Sequence, residues 1–346
     1  MSVQMLSHEW TLPESKGGDA KTLVLLHGLL GNRKNIRSFS KALVRAHPQW
    51  RVLLCDLRGH GGTPALNTPG AGAGGCSMAA AATTLALAAE DVAFTCDALG
   101  LSPPEAVVGH SCGGKVALAY LDACRHPSGA FGGRYFPFHD ASALAPDVTW
   151  ALDTVPSAAA AGDPVRAAKL SSVAYVLDAV ESLPPKLPSK AEALRLLVAQ
   201  GLPDPVAQWI CTSLAPAALD PSGGGGGDGS GGGGGSGGEW AFVYDVGVCR
   251  ALFASYAATD LLPTIAATAA GDEWAPASAS GEPCTVDIVV AGLNPGAWPP
   301  PVREALDEAA AAGPGAAVHV LPAAGHNVHM DDPRGLLALM GPSLER

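Results

Sequence analysis

The apolar run Ala106-Val107-Val108 passes directly into Gly109-His110-Ser111-Cys112-Gly113-Gly114-Lys115, and Val116-Ala117-Leu118-Ala119-Tyr120-Leu121 then reads as helix. No other stretch narrows the choice of fold so far. A strand that becomes a helix through Gly-x-Ser-x-Gly must turn sharply, and side chains at Gly109 or Gly113 would collide in that turn. The turn lifts the Ser111 hydroxyl clear of the sheet. It also brings the Cys112 N–H to a helix start, where it can face an oxyanion. With 43 glycines in 346 residues the pattern also arises by chance. Its meaning therefore rests on the partners the rest of the chain can supply.

A chain of 346 residues can bury the core of one large α/β domain or of two small ones. Its 48% hydrophobic content is rich in alanine, which favours helices. A net charge of −11 with no basic patch excludes a nucleic-acid partner. Charges or prolines interrupt every apolar run before it reaches membrane-spanning length, so no membrane span is expected. The eight cysteines form no C-x-x-C pair, and Cys55, Cys96 and Cys211 sit in core-like runs, which predicts buried, reduced thiols. The first twenty residues lack the apolar core of a secretory signal and carry acids with little arginine. They imply a cytoplasmic location, or a mitochondrial or plastid one if a transit segment precedes this sequence.

Along the chain, residues 6–12 read as an edge strand, and Thr22-Leu23-Val24-Leu25-Leu26 as a buried parallel strand ending in His27-Gly28-Leu29-Leu30-Gly31. Residues 32–46 have helical periodicity. Arg51-Val52-Leu53-Leu54-Cys55-Asp56 is a strand closed by Leu57-Arg58-Gly59-His60-Gly61, where Asp56 and Arg58 would fix a loop and His60 would be structural. A loop spans 69–80. A helix spans 84–99, with Glu90-Asp91 as its solvated face. An inserted surface loop spans 127–145, and Val148-Thr149-Trp150-Ala151-Leu152-Asp153 is a strand ending in an acid. Helices then follow one another at 164–183, 189–200, 205–214 and 246–257, interrupted by a nearly pure glycine tract at 222–238 that cannot pack a core. Strand–helix alternation resumes at Val286-Asp287-Ile288-Val289-Val290-Ala291. It closes with a helix at 302–311, a strand at 317–322 and a helix at 335–340. The core is therefore assigned to 1–153 and 284–346, and a helical cap holding the flexible glycine linker to 154–283.

A serine nucleophile needs a base near neutral pKa, which suits histidine. His326 follows Gly325 just after the last strand. His329 falls in the turn toward Asp331-Asp332-Pro333, where packing or capping accounts for it. Among acids, Asp153 lies at a strand's carboxyl end, where α/β sheets place their ligands. Asp287 is mid-strand, Asp245 and Asp260 lie in the cap, and Glu304 and Asp307 lie on a helix; the first three remain fallbacks.

Four motifs carry a family resemblance: His27-Gly28-Leu29-Leu30-Gly31, the Gly109–Lys115 segment, Trp150-Ala151-Leu152-Asp153-Thr154-Val155-Pro156, and Ala324-Gly325-His326 with Val328-His329, Asp331 and Pro333. With them the chain resembles the α/β-hydrolase superfamily, and within it the branch of alpha/beta-hydrolase domain-containing protein 11 with its bacterial esterase relatives. The cap stretch from Leu183-Pro184 to Trp209 is similar to plant and cyanobacterial members. The resemblance implies an α/β-hydrolase fold, with a mostly parallel central sheet flanked by helices and a cap inserted after the sixth strand. It implies the order nucleophile, acid, base, met by Ser111, Asp153 and His326, with backbone N–H groups of Leu29 and Cys112 as the oxyanion hole. His27, Gly28, Gly109, His110 and Gly113 support them. Bacterial relatives carry the acid at the position of Asp153. The loop Gly292-Leu293-Asn294-Pro295-Gly296-Ala297-Trp298, where many members hold it, has no carboxylate.

The implied activity is hydrolysis of small to medium acyl esters or thioesters through an acyl-enzyme. An acyltransferase on the same fold and a partner-protecting or binding protein are the alternatives. The histidines lack metal-ligand spacing, so neither metal nor organic cofactor is expected. The animal member's association with lipoylated 2-oxoacid dehydrogenase complexes makes such a complex the protein partner the resemblance implies.

Overall fold

In β2 (Lys21–Leu26) every side chain from Thr22 onward is buried, as in a strand covered by helices on both faces. It pairs in parallel with β3 (Trp50–Cys55) on one side and β4 (Ala106–His110) on the other. β5 (Val148–Leu152) continues the parallel array beyond β4, and β1 (His8–Thr11) closes the opposite edge antiparallel to β3. The computed structural model describes residues 3–14, 20–63, 83–101, 103–125, 145–158, 164–217, 239–271, 278 and 280–345. The loop at 69–80, the loop at 127–145 except Ala145, and the glycine tract at 222–238 lie outside the described residues.

Helices α1 (Arg33–Ala46), α2 (Leu85–Ala98) and α3 (Cys112–Arg125) connect the first parallel strands. α1 starts at a reciprocal cap: the Asn32 side chain accepts from Lys34 N–H, while Asn35 accepts from Asn32 N–H. Its Ile36, Phe39, Leu43 and Val44 are buried at helical spacing against one face of the sheet. α2 and α3 cover the other face. The chain runs outward from β2 to β3 and returns to β4 beyond β2, which opens a crevice at the carboxyl ends of β2 and β4.

The cap follows β5, the fifth described strand in chain order and not the sixth. It comprises α4 (Pro164–Glu181), α5 (Lys190–Ala199), α6 (Asp204–Cys211), the antiparallel pair β6 (Leu214–Pro216) and β7 (Trp240–Phe242), and α7 (Val246–Ala258). Leu187, Leu197, Ile210 and Leu214 lie in its own apolar cluster. The short β-pair was not expected, and it takes Leu214 out of the helix read at 205–214. α8 (Leu262–Ala270) was also missed. Although it falls within the 154–283 range, its Ile265 and Ala269 join the core cluster of the sheet. The sheet ends with β8 (Thr285–Ala291) and β9 (Ala316–Leu321), and its order is β1-β3-β2-β4-β5-β8-β9. α9 (Pro300–Ala312) joins these last strands, and α10 (Val328–Asp331) and α11 (Pro333–Leu344) close the chain.

The expected solvated face of α2 is a correction. Asp91 is fully buried, with the Arg58 guanidinium 2.6 Å away, and accepts the Gln4 N–H at 2.9 Å. The N-terminal segment crosses α2 here, for the Leu6 N–H also donates to Thr95. Burial pushes the Asp91 carboxyl up to about 7 against the pull of Arg58. Lys115 is buried too. Its Nζ donates to the carbonyls of Ser157 (2.9 Å) and Tyr256 (2.7 Å), tying α3 to the chain entering the cap and to the end of α7. The seven described cysteines are buried and free, as read from the sequence. No helix among the described residues is long and apolar enough to cross a membrane.

Candidate active site

The turn after β4 depends on two close approaches. A Cβ on Gly109 would lie 2.0 Å from the Gly113 carbonyl oxygen, and one on Gly113 would lie 2.4 Å from that of His27. Between them Ser111 adopts φ +53°, and its N–H donates to the Leu152 carbonyl at the end of β5 (2.9 Å). The serine is thus held in the left-handed region between adjacent strands. Cys112 opens α3, so its backbone N–H is one of the donors left free at a helix start. Burial pushes its thiol up to about 12.

Ser111 and His326 meet across the crevice. The Ser111 hydroxyl donates to His326 Nε2 at 3.1 Å, and His326 Nδ1–H donates to Asp153 Oδ2 at 2.7 Å. The ionised acid only accepts, which assigns the proton to Nδ1 and leaves the Nε2 lone pair facing the serine. His326 is positioned from behind as well, since His110 Nε2–H donates to its carbonyl oxygen at 2.7 Å. His110 is buried and stays neutral: burial, then its neighbours His329 and His326, hold its pKa well below the usual range.

Asp153 sits at φ +45° just past β5, and its N–H donates to Val289 O in the neighbouring strand. Its Oδ1 accepts the Ala291 N–H (3.1 Å) and Trp298 Nε1–H (2.8 Å), and Oδ2 also accepts Asn294 Nδ2–H (2.7 Å). Burial would raise this carboxyl. The hydrogen bond and charge of His326, with the Trp298 and Ala291 donors, outweigh burial and hold it below its ordinary value.

The sequence reading missed Asn294 and Trp298. Their loop holds no carboxylate; it supplies donors to the carboxylate of Asp153 beside it. A loop after the penultimate strand that lacks an acid but carries two side-chain N–H groups was the available signal. The fallback acids are engaged elsewhere: Asp287 accepts from His319 Nε2 (2.7 Å), Asp245 caps α7 through Val248 N–H (3.0 Å), and Asp260 accepts Leu262 N–H (3.1 Å).

The loop after β2 lies against this turn, with a Cβ on Gly28 only 3.3 Å from Ser111 Cβ. It forms a turn closed by Gly31 N–H to Gly28 O (3.1 Å). The N–H of Leu29, the turn's second residue, takes no part in that bond and remains available to an oxyanion. His27 shapes the loop from below, donating Nδ1–H to Gly28 O (2.7 Å) and accepting Leu57 N–H at Nε2 (3.0 Å). Burial lowers its pKa. His60 is buried and off the serine, as read from the sequence.

A cleft of about 60 Å³ is lined by Gly28, Leu29, Ser111, His326, His329 and Trp209 of α6. His329 is 5% exposed, packs edge-on against His110 with ring centroids 4.7 Å apart, and has no hydrogen-bond partner on either ring nitrogen. Burial and the proximity of His326 bring its pKa down to about 4, so it is neutral. Packing, and not capping, is its role in the described structure. Among the described residues no group of three or more histidines, cysteines or acids is arranged to hold a metal ion.

A family model described as alpha/beta hydrolase fold matches residues 21–128. The sn-1-specific diacylglycerol lipase ABHD11 of Mus musculus is 34% identical over 118 residues, 34% of this chain and 31% of that protein. The magnesium-chelatase 30 kDa subunit of Rhodobacter capsulatus is 33% identical over 112 residues, 32% of this chain and 33% of that protein. The matches thus span about a third of each curated relative's length. Among solved structures, a marine microorganism esterase superposes with a TM-score of 0.62 over 98% of both chains at 15% identity, a likeness of fold. The chain has the α/β-hydrolase fold, and about a third of it resembles ABHD11 in sequence.

Proposed function

We propose that this chain is a serine hydrolase that cleaves carboxylic esters or thioesters of small to medium acyl groups through an acyl-enzyme. The observation that carries the reading is the unbroken relay from Ser111 Oγ to His326 Nε2 (3.1 Å) and from His326 Nδ1 to Asp153 (2.7 Å). Ser111 Oγ attacks the carbonyl carbon as its proton passes to His326 Nε2. The resulting imidazolium is stabilised by Asp153. The tetrahedral oxyanion faces the N–H groups of Leu29 and Cys112, each worth about 3–4 kcal/mol by analogy with a comparable site. The intermediate collapses, and the departing alcohol or thiol takes the proton from His326. Water then gives a proton to His326 and attacks the acyl-enzyme, and collapse releases the acid and returns the proton to Ser111 Oγ.

The small cleft supports a compact acyl group. The lipase and esterase names of the similar proteins support the reaction class. The test is covalent labelling with a fluorophosphonate, together with hydrolysis of p-nitrophenyl butyrate. The folded wild type is expected to label at Ser111 and to turn over the ester, and Ser111→Ala to do neither. Folded protein that fails to label, or a Ser111→Ala variant with wild-type turnover, overturns the proposal.

A further inference from the structure

Leu30 stands in an unexpected conformation for its residue type. It is third in the Gly28–Gly31 turn with φ +61°, a position that normally takes glycine. Three features hold it there, and each leads to the cap. Its side chain is 3% exposed and belongs to the cap's apolar cluster, with Leu187, Ile210, Leu214 and Tyr244. Its carbonyl accepts the hydroxyl of Ser213, a buried residue between α6 and β6, at 2.9 Å. Its N–H donates to His60 Nε2 at 3.2 Å, and the Cys249 Sγ of α7 lies against the same nitrogen at 3.2 Å.

His60 can accept at Nε2 because its Nδ1–H is committed to the Arg58 carbonyl at 2.9 Å. Burial brings its pKa down to about 3, so the imidazole is neutral and the lone pair stays available. The loop that carries His60 is itself joined to the cap, since the Asp245 N–H at the start of α7 donates to Gly59 O at 2.8 Å. The Leu30 carbonyl and side chain are therefore fixed from the cap, and its N–H by a loop that is itself joined to the cap, one residue from the oxyanion donor Leu29.

We infer that the cap positions the oxyanion hole, through Leu30 held by Ser213 and by the Cys249–His60 pair. The inference rests on the serine hydrolase reading. A glycine would suit this turn better by itself, and leucine accepts the strained backbone in order to reach the cap. Leu30, Ser213 and His60 are then positioning residues: they touch no reacting atom and act through the direction of the Leu29 N–H. Because that N–H matters most once charge has developed on the substrate oxygen, loosening it lowers kcat more than it raises KM.

The experiment compares wild type, Ser213→Ala, Ser213→Thr and Leu30→Gly on p-nitrophenyl butyrate, with the inhibition constant of a trifluoromethyl ketone that forms a tetrahedral adduct on Ser111. Thermal melts certify that each variant is folded at the assay temperature. Ser213→Ala and Leu30→Gly are expected to lose about tenfold in kcat with KM changed less than about twofold, and to bind the ketone weaker by the same factor. Ser213→Thr, which keeps the hydroxyl, is expected to restore both. The midpoint of the pH–rate profile is expected to stay in place, because the base and acid are untouched.

Wild-type kcat in folded Ser213→Ala and Leu30→Gly, or a rise in KM alone, overturns the inference. The two readings fail separately: a fully active Ser111→Ala removes the hydrolase, whereas an inactive Ser111→Ala beside fully active Ser213→Ala and Leu30→Gly removes only the coupling.

Discussion

Replacing Asp153 by asparagine tests the relay where its geometry is most demanding. All four groups around this carboxylate are donors: His326 Nδ1–H and Asn294 Nδ2–H at one oxygen, Trp298 Nε1–H and Ala291 N–H at the other. An amide offers one oxygen and one NH₂, so one side must face a donor with a donor. If the oxygen stays with His326, the NH₂ meets an indole and a peptide N–H, neither of which can become an acceptor. Two such buried mismatches, at about 1–3 kcal/mol each, disfavour this orientation by about 2–6 kcal/mol. If the oxygen turns to Trp298 and Ala291, His326 can satisfy the NH₂ by moving its proton to Nε2, and Asn294 can do so by flipping. That outcome removes the lone pair that must take the serine proton. The productive tautomer is then depleted by roughly 30- to 10⁴-fold, at 1.36 kcal/mol per factor of ten. The equivalent replacement in a serine protease costs about 10⁴ in kcat for this reason. Asp153→Asn is thus expected to fold and to lose on the order of 10³ in kcat on p-nitrophenyl butyrate and in the rate of fluorophosphonate labelling. Activity within threefold of wild type would refute the reasoning, most clearly if Asp287→Asn, Asp245→Asn or Asp260→Asn abolished it instead.

Trp298→Phe keeps a ring in place but removes one donor to Asp153 Oδ1; kcat is expected to fall about tenfold with little change in KM, read from steady-state kinetics. Gly113→Ala sets a Cβ 2.4 Å from the His27 carbonyl. It is expected to cost more than about 3 kcal/mol of stability in urea melts, because backbone is the obstacle and cannot swing aside. Burial and the neighbouring His326 bring the His329 pKa down to about 4 in the folded protein, against an ordinary 6.5. The unfolded chain therefore binds the extra proton first. The stability this neutral imidazole contributes is complete above pH 6.5, declines as pH falls, and by pH 4 has dropped by about 3 kcal/mol. His329→Phe should lack that decline, so the stability difference between variant and wild type should shift by this amount in the variant's favour between pH 7 and pH 4. Parallel urea-denaturation curves for the two proteins across that range would refute the assignment.

Much of the fold was legible because strands buried on both faces leave continuous apolar runs, as in Leu23 to Leu26 and Ile288 to Ala291. Ser111 and Asp153 could be singled out because each directly follows a buried strand, and His326 because it follows Gly325 just after the last strand. Asp153's hydrogen-bond partners could not, since Asn294 and Trp298 are ordinary loop residues until the sheet order places β8 beside β5. Glu90 and Asp91 were misread for a related reason. Helical periodicity reports which face of α2 is apolar, but not that residues 4–6 and Arg58 cover the polar one. β6 and β7 are three residues each, too short for alternation to register, and they pair across the 23 residues that separate Pro216 from Trp240.

Backbone strain is the property least visible in the chain and most closely tied to the site. Among the described residues, those other than glycine with positive φ are Leu30, Ser111 and Asp153. They lie just beyond β2, β4 and β5, three neighbouring strands, and they set the Gly28–Gly31 turn, Ser111 and Asp153 on one crevice. Each such residue costs on the order of 1–3 kcal/mol and persists only where its surroundings over-determine it. The surroundings differ in kind. Ser111 is held by the clearances at Gly109 and Gly113, which the sequence displays as a motif. Asp153 is held by its N–H on the Val289 carbonyl and its carboxylate on the Ala291 N–H in the adjoining strand, which the sequence does not display. Leu30 is held by Ser213 of the cap, 183 positions away, and by His60, 30 positions away in a loop that the cap contacts through Cys249. Glycine would relieve the backbone at Leu30 and keep its carbonyl for Ser213, but would surrender the side-chain packing in the cap's apolar cluster. In the proposed hydrolase the cap therefore does more than wall the cleft: the turn that carries the Leu29 N–H is built against it through Leu30, while Ser111 and Asp153 are built into the sheet.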